Sequence, residues 1–148
     1  MSQRQAIMTA LGTALKGLTK ANGYNLDLGR RLVEWPTTAV DQMQLPALMY
    51  RDGRASVGVQ TEDGQPVSFG MHEHQLTVEV VALVTTPADA RKAVEDVTTL
   101  LWANRKLGGA CRWITLSAHQ IEQEQADRRQ VAAGMTFTIS YRTPLGEI

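Results

Sequence analysis

The sequence lacks the features that mark several large classes of protein. Cys111 is the single cysteine among 148 residues, so no intrachain disulfide can form and a reducing compartment is expected. Fifteen basic and fifteen acidic side chains cancel, which leaves no net charge to attract nucleic acid or an anionic membrane. The apolar runs are too short to span a bilayer, and the first residues do not form a signal peptide. We therefore expect a soluble cytosolic protein that binds neither membrane nor specific nucleic-acid sequences.

The sequence also contains no motif of a known catalytic chemistry. A hydrolytic triad on a nucleophile elbow would need G-x-S-x-G, which does not occur. Neither G-x-G-x-x-G nor a phosphate-loop pattern occurs, so nucleotide binding has no support. Cys111 has one basic neighbour, Arg112, which a strand would send to the opposite face. We predict a buried structural thiol there, no enzymatic activity and no cofactor.

A strand followed directly by a helix, at residues 72–86 and 87–106, is the most regular pattern in the chain. Apolar residues recur in the strand at every second position: Leu76, Val78, Val80, Ala82 and Val84. Polar residues between them give way to apolar ones, so the strand is expected to enter from a wet end and finish buried on both faces. Thr86 is a good helix N-cap and Pro87 is favoured at the first helical position, so this pair opens the helix. The apolar stripe of that helix comprises Ala90, Ala93, Val94, Val97, Leu100, Leu101 and Leu107.

Local patterns predict the remaining elements. These are a capped helix at 2–21, short strands at 31–35, 45–50 and 55–60, and strands at 111–117 and 135–141. Asp52-Gly53 is a plausible two-residue hairpin turn between two of the short strands. Residues 61–70 have the composition of an exposed flexible loop, and the polar residues 118–130 form either an edge strand or an exposed arm.

This order of elements predicts the fold class. With no repeat and no linker, residues 1–148 form one domain of the α+β class. Its order is α-β-β-(β)-β-α-β-β, with two α-helices packed on one face of a mainly antiparallel β-sheet.

The H-x-H pair formed by His72 and His74 is open to two interpretations. On a strand this spacing points both imidazoles to one side, where they could supply two metal ligands. Glu73 faces away and His119 is remote in sequence, so no third ligand is evident. We predict no metal site, and favour a solvated strand end over metal binding.

Trp102 stands out because helical geometry places it away from the apolar stripe. It falls on the side of Arg91 and Glu95, with Arg105 three residues further along. An exposed tryptophan reduces solubility unless something covers it, and interface cores favour Trp and Arg. Either these residues form an interface with another molecule, or a loop of the same chain covers Trp102.

Taken together, these features resemble the tail terminator, or tail completion, proteins of long-tailed bacteriophages. The resemblance is carried by the opening helix, L-P-A-L-M-Y-R-D-G at 45–53, H-Q-L-T-V-E-V at 74–80, and A-A-G-M-T-F-T-I-S-Y-R-T at 132–143. It implies a small α+β subunit of a hexameric ring that caps the tail tube, stops its polymerisation and offers a surface for head joining. The implied partners are further copies of the chain, the tail tube protein and the head–tail connector protein. The implied location is the virion tail, assembled in the host bacterial cytoplasm, and no catalytic residue is carried over.

Ring closure needs two different patches on each subunit. The candidates are Trp102 with its helical neighbours and the strand end at His72 and His74, while the loop 61–70 could order on meeting the tube. Within structural proteins, a head–tail connector or another minor tail component is the alternative. From another class, the alternative is a small cytosolic ligand- or metal-binding domain using His72, His74 or Cys111, which predicts a concave pocket around those residues. A prophage-derived host domain with no assembly role is a third possibility.

Overall fold

Two helices and five strands are present in the part of the chain that the structure describes. The structure, a computed structural model, describes residues 2–34, 46–57, 71–123 and 131–144. In chain order the elements are α1 (Gln3–Leu15), β1 (Leu32–Glu34), β2 (Ala47–Val57), β3 (Met71–Val84), α2 (Pro87–Ala103), β4 (Trp113–Gln123) and β5 (Val131–Pro144). Short 3₁₀ turns at Lys20–Asn22, Leu28–Arg31 and Leu107–Gly109 link them. The predicted α+β class is confirmed.

The five strands form one sheet in the order β1-β2-β3-β5-β4. β1 runs parallel to β2, and the other three pairs are antiparallel, as the fold prediction requires. β3 and β5 are the longest strands and occupy the middle, paired without a register shift from Met71↔Pro144 to Val84↔Val131. The alternation of apolar and polar residues in β5 and in the first half of β3 specifies this register, because a slip of one residue would turn the core side chains outward.

Both helices cover the same face of the sheet. The predicted core residues of β3 are buried there, together with Val131, Ala133, Met135, Phe137, Ile139 and Tyr141 of β5. Ile7, Leu11 and Leu15 of α1 pack into the same cluster as the apolar stripe of α2. Both predicted caps are confirmed, since Ser2 Oγ accepts from the Gln5 amide and Thr86 Oγ1 accepts from the Asp89 amide, each at 3.1 Å.

The predicted hairpin at Asp52-Gly53 is wrong. β2 is one continuous strand against β3, with Asp52 opposite Val78 and Ala55 opposite Leu76, and its one extra residue forms a bulge. Gly53 does not have the positive φ that a type I′ turn requires. Instead, Arg4 of α1 donates hydrogen bonds to the Asp52 carboxylate and, at 2.7 Å, to the Gly53 carbonyl oxygen. A tertiary contact therefore overrides the local turn signal.

α1 ends at Leu15, six residues before the predicted boundary. The chain at Leu28–Arg31 folds back over the end of the helix, where the Gly29 amide donates to the Leu18 carbonyl oxygen at 2.8 Å. A Cβ atom on Gly29 would lie 2.5 Å from the Lys16 carbonyl oxygen, so any other residue type would force the backbone here to shift. Gly23 adopts a left-handed conformation (φ 92°) and ends the 3₁₀ turn Lys20–Asn22, which follows α1.

The boundaries around β4 also differ from the prediction. α2 ends at Ala103 because Asn104 leaves the helical backbone angles (φ −115°, ψ 33°), and Leu107, Gly108 and Gly109 then adopt left-handed φ angles as the chain turns towards β4. β4 begins at Trp113 and continues to Gln123, so the polar segment 118–130 is an edge strand as far as it is described. The predicted loop 61–70 lies outside the described residues. No helix in the described part of the chain is long and apolar enough to cross a membrane.

Candidate functional site

The outer face of α2 carries the exposed tryptophan that the sequence predicts. Trp102 is 66% exposed because its helical position lies opposite the buried stripe. The guanidinium of Arg105 lies 5.0 Å from the centroid of its ring, and Arg105 Nη1 donates to the Trp102 carbonyl oxygen at 3.3 Å. Tryptophan and arginine are the residue types that most often dominate binding energy at protein interfaces.

The structure places Arg91, Glu95 and Trp102 on one side of α2, and Arg105, which the sequence places on the helix, lies two residues beyond its end. Glu95 and Arg91 lie two and three turns before Trp102 on the same side of α2, and both are exposed. We call Arg91, Glu95, Trp102 and Arg105 the α2 outer face. Two thirds of Trp102 remains open, so no described residue provides the covering loop that was the alternative.

His74 lies in the core, which corrects the expectation of a solvated strand end. It is 1% exposed, and its ring stacks on Tyr141 with centroids 4.5 Å apart and planes at 5°. Its Nε2 atom lies 2.7 Å from Thr143 Oγ1. Burial, and then the neighbouring His72, lower the pKa of His74, although Glu73 acts in the opposite direction. The imidazole is therefore neutral at pH 7.

The His72–His74 pair gains no further ligands from the fold within the part of the chain that is described. The two rings lie edge to face with centroids 6.3 Å apart, and His72 is half-buried. His74 Nδ1 has no hydrogen-bond partner, but Nε2 is held by Thr143. His119 lies on β4, which β5 separates from β3. No group of three His, Cys, Asp or Glu side chains that could hold a metal occurs among the described residues.

Glu73 ties three segments together on the sheet face opposite the helices. Its two carboxylate oxygens accept hydrogen bonds from Arg112 Nη1 and Arg142 Nε, both at 2.9 Å. Burial raises the pKa of Glu73, but the hydrogen bonds and charges of the two arginines outweigh it and hold the pKa below its usual value. The sequence indicates only that Glu73 faces away from the histidines, because its partners are 39 and 69 residues away.

Asp96 is a buried carboxylate that the sequence analysis did not single out. Its oxygens accept hydrogen bonds from the amide and the side chain of Asn25 and from the amide of Leu26, at 3.0 to 3.1 Å. Burial raises its pKa, and these hydrogen bonds offset that effect only in part. The signal that could have identified it is an acidic residue next to Val97, between Ala93 and Leu100 of the apolar stripe.

Cys111 is buried, as predicted. Burial raises the pKa of its thiol to about 11, so it is protonated at pH 7 and is a poor nucleophile. Its Sγ donates a weak hydrogen bond to the Arg105 carbonyl oxygen at 3.6 Å. Cys111 thereby holds the chain that reverses between α2 and β4, which is a structural role.

β4 carries a second group of exposed apolar side chains. Trp113 is 43% exposed, Ile121 40% and Leu116 36%. The Arg112 guanidinium lies 4.6 Å from the centroid of the Trp113 ring. These residues lie on β4, along the edge of the sheet, and not on α2.

A cleft of about 290 Å³ lies where the end of β3 meets the start of α2. Its charged lining residues are Lys20, Asp27, Arg30, Arg31 and Asp89. It contains none of the residues around which the ligand-binding alternative predicted a concave pocket.

Comparison of the sequence with family models and with curated proteins identifies no relative. No protein-family model matches the sequence, and no curated protein matches it either. The likeness to tail terminators stays a prediction based on the quoted strings.

Proposed function

We propose that the chain is a structural subunit of a phage tail, which forms a ring that caps the tail tube, stops its polymerisation and offers a surface for head joining. The observation that carries the proposal is the α2 outer face, where Trp102 is 66% exposed and Arg105 stacks on it. The α+β class of the fold is also the one that the resemblance implies.

Ring closure requires two unlike patches that meet between neighbouring copies. The α2 outer face supplies one of them, because an indole that is largely exposed in a single copy can be buried against a different surface of the next copy. The proposed partners are further copies of the chain, which form a hexamer, the tail tube protein and the head–tail connector protein. The site of action is the virion tail, after assembly in the bacterial cytoplasm.

The alternatives differ from this proposal in the partner. A head–tail connector or another minor tail component would use the same outer face but would not bind the end of the tube. A metal- or ligand-binding domain would need free histidines, whereas His74 makes the stacking and hydrogen-bonding contacts of a core histidine.

The test is to add the purified chain to the tail tube protein of the same phage while that protein polymerises. Tube lengths are measured by electron microscopy, and the mass of the free chain by light scattering. We expect the wild-type chain to shorten the tubes and Trp102→Glu to lose this effect, because a buried charge replaces the indole. Thr13→Glu, on the exposed side of α1, adds the same charge elsewhere and is the matched control.

Two results would contradict the proposal. Tubes of unchanged length in the presence of the wild-type chain would exclude a terminator, and binding to the connector protein alone would favour the connector alternative. If Trp102→Glu shortens tubes and assembles as well as the wild type, the α2 outer face is not the contact.

A further inference from the structure

The two edges of the sheet differ in how they are protected from other strands. β1 is three residues long, and Arg30, Arg31 and Glu34 surround it with charges. Short length and charge are the usual devices that prevent edge strands from pairing with other chains. β4 is eleven residues long, contains no proline, and carries no charged side chain from Trp113 to Ile121 apart from the titratable His119. Among the described strands it has a neighbour on one side only.

The exposed side chains of β4 lie on both sides of the sheet. Leu116 and Ile121 point to the helix side, because they pair with the core residues Phe137 and Ala133 of β5. Trp113 points to the opposite side, where its partner is Ser140. An incoming strand beside β4 would therefore bury apolar surface on both faces, and it would pair with backbone groups of β4 that no described strand reaches.

A bulge at Ser117 makes β4 complementary to itself. Leu116 and Ala118 occupy successive pairs with β5, so the alternation of faces shifts by one residue at Ser117. In an antiparallel pair of two β4 strands, positions whose numbers add up to 235 then lie opposite each other on the same face. The pairs are Trp113–Glu122, Ile114–Ile121, Thr115–Gln120, Leu116–His119 and Ser117–Ala118. If the two strands slide by two residues in either direction, the paired numbers add up to 233 or 237. Each of these registers places a residue on the helix side opposite a residue on the other side near the bulge, so the register with the sum of 235 is favoured.

From this register we infer that β4 is an interaction surface for a second copy of the chain, paired antiparallel about a two-fold axis at Ser117 and Ala118. Ile121 of each copy, which is 40% exposed in a single chain, comes to lie beside Ile114 of the other. On the opposite face, Glu122 of one copy comes beside Trp113 of the other, next to the Arg112 guanidinium that stacks on that ring. Because of the two-fold axis, this contact between opposite charges occurs twice in the pair. The two five-stranded sheets join into one sheet of ten strands.

A charge-swap experiment on the full chain tests both the contact and its register. Thr115 and Gln120 are exposed and far apart within one β4 strand, but each faces the other across the proposed axis. Thr115→Lys/Gln120→Lys places like charges opposite each other twice, whereas Thr115→Lys/Gln120→Glu places opposite charges there. Association is measured by sedimentation equilibrium from about 1 to about 300 μM at low salt.

We expect the wild-type chain to reach twice the 16.3 kDa of one chain. The dissociation constant of the two-lysine variant should exceed that of the lysine–glutamate variant by about tenfold, and high salt should reduce the difference. A wild-type chain that stays monomeric over the whole range, or two variants that associate equally, would overturn the inference. The two proposals can fail separately, because the tube-capping assay tests the contact through Trp102 on α2, which loss of the β4 pair would leave in place.

Discussion

The carboxylate of Asp96 is expected to be the most important single polar group for the stability of the fold. It is 3% exposed and holds the segment at Asn25 and Leu26 against α2 through three hydrogen bonds, across about seventy residues of chain. Asp96→Ala removes the acceptor and leaves the donors to find other partners.

The magnitude follows from what happens to those donors. A hydrogen bond to a charged group contributes about 1.5–3 kcal/mol, and a buried donor left without a partner costs about 1–3 kcal/mol. Asn25 is exposed, so water can reach both of its donors, whereas Leu26 is half-buried. We therefore expect Asp96→Ala to lower the free energy of unfolding by about 2–4 kcal/mol, well below the sum of the three bonds. For a chain of this length that corresponds to a fall in Tm of about 5–15 °C.

The assay is urea and thermal unfolding followed by circular dichroism, combined with amide hydrogen exchange. Glu95→Ala is the matched control, because Glu95 is the exposed neighbour of Asp96 and should change stability by less than about 0.5 kcal/mol. The Leu26 amide should lose protection in Asp96→Ala before the strands of the sheet do. Equal stability of the two variants, with Leu26 still protected, would refute the assigned role.

Two further predictions concern the packing of the core. Gly29→Ala should lower the free energy of unfolding by about 2 kcal/mol or more, because its Cβ would meet the Lys16 and Leu15 carbonyl oxygens at 2.5 and 2.8 Å. Gly53→Ala, whose Cβ has 3.5 Å to the nearest atom, is the control in the same urea titration, and equal losses would contradict the close approach. The pKa of His74 is lowered by folding, so its contribution to stability is fully present above about pH 6.5 and is lost as the pH falls below that value. His74→Phe keeps the stack on Tyr141 and should reduce the loss of stability between pH 7.5 and 5.5, whereas His119→Gln should not; identical slopes in His74→Phe and the wild type would rule this out.

The elements that the sequence predicts correctly are those whose signal is local. The strand ending at Val84 alternates with period two. Thr86 caps α2 by accepting a hydrogen bond from the amide of Asp89, three residues further along the chain. The position of Trp102 follows from the helical repeat alone. Each of these features is determined by residues within a few positions of each other, so no tertiary contact was needed to predict it.

The features that the sequence does not predict depend on distant partners. The turn signal of Asp52-Gly53 is overridden by Arg4, which reaches it from a helix 48 residues earlier. His74 has the sequence context of a wet strand end, but it is buried because Tyr141 and Thr143 come alongside from β5. The residue pattern of a strand indicates on which face of the sheet a side chain lies. Whether that side chain is buried depends on which strand pairs beside it.

The two proposed surfaces obey different symmetries, and this determines how they can be combined. A two-fold contact through β4 brings identical strands together and ends at two chains, whereas the α2 outer face must meet an unlike patch if a ring is to close. Both contacts can be satisfied at once only in a dihedral assembly, in which two rings lie back to back. Such a pair of rings hides one face of each, whereas a tail cap needs one face for the tube and the other for the head. The β4 pair and the ring on the tube are therefore expected to be alternative states, so that binding the tube should dissociate the pair and replace a mass of two chains by that of a single ring.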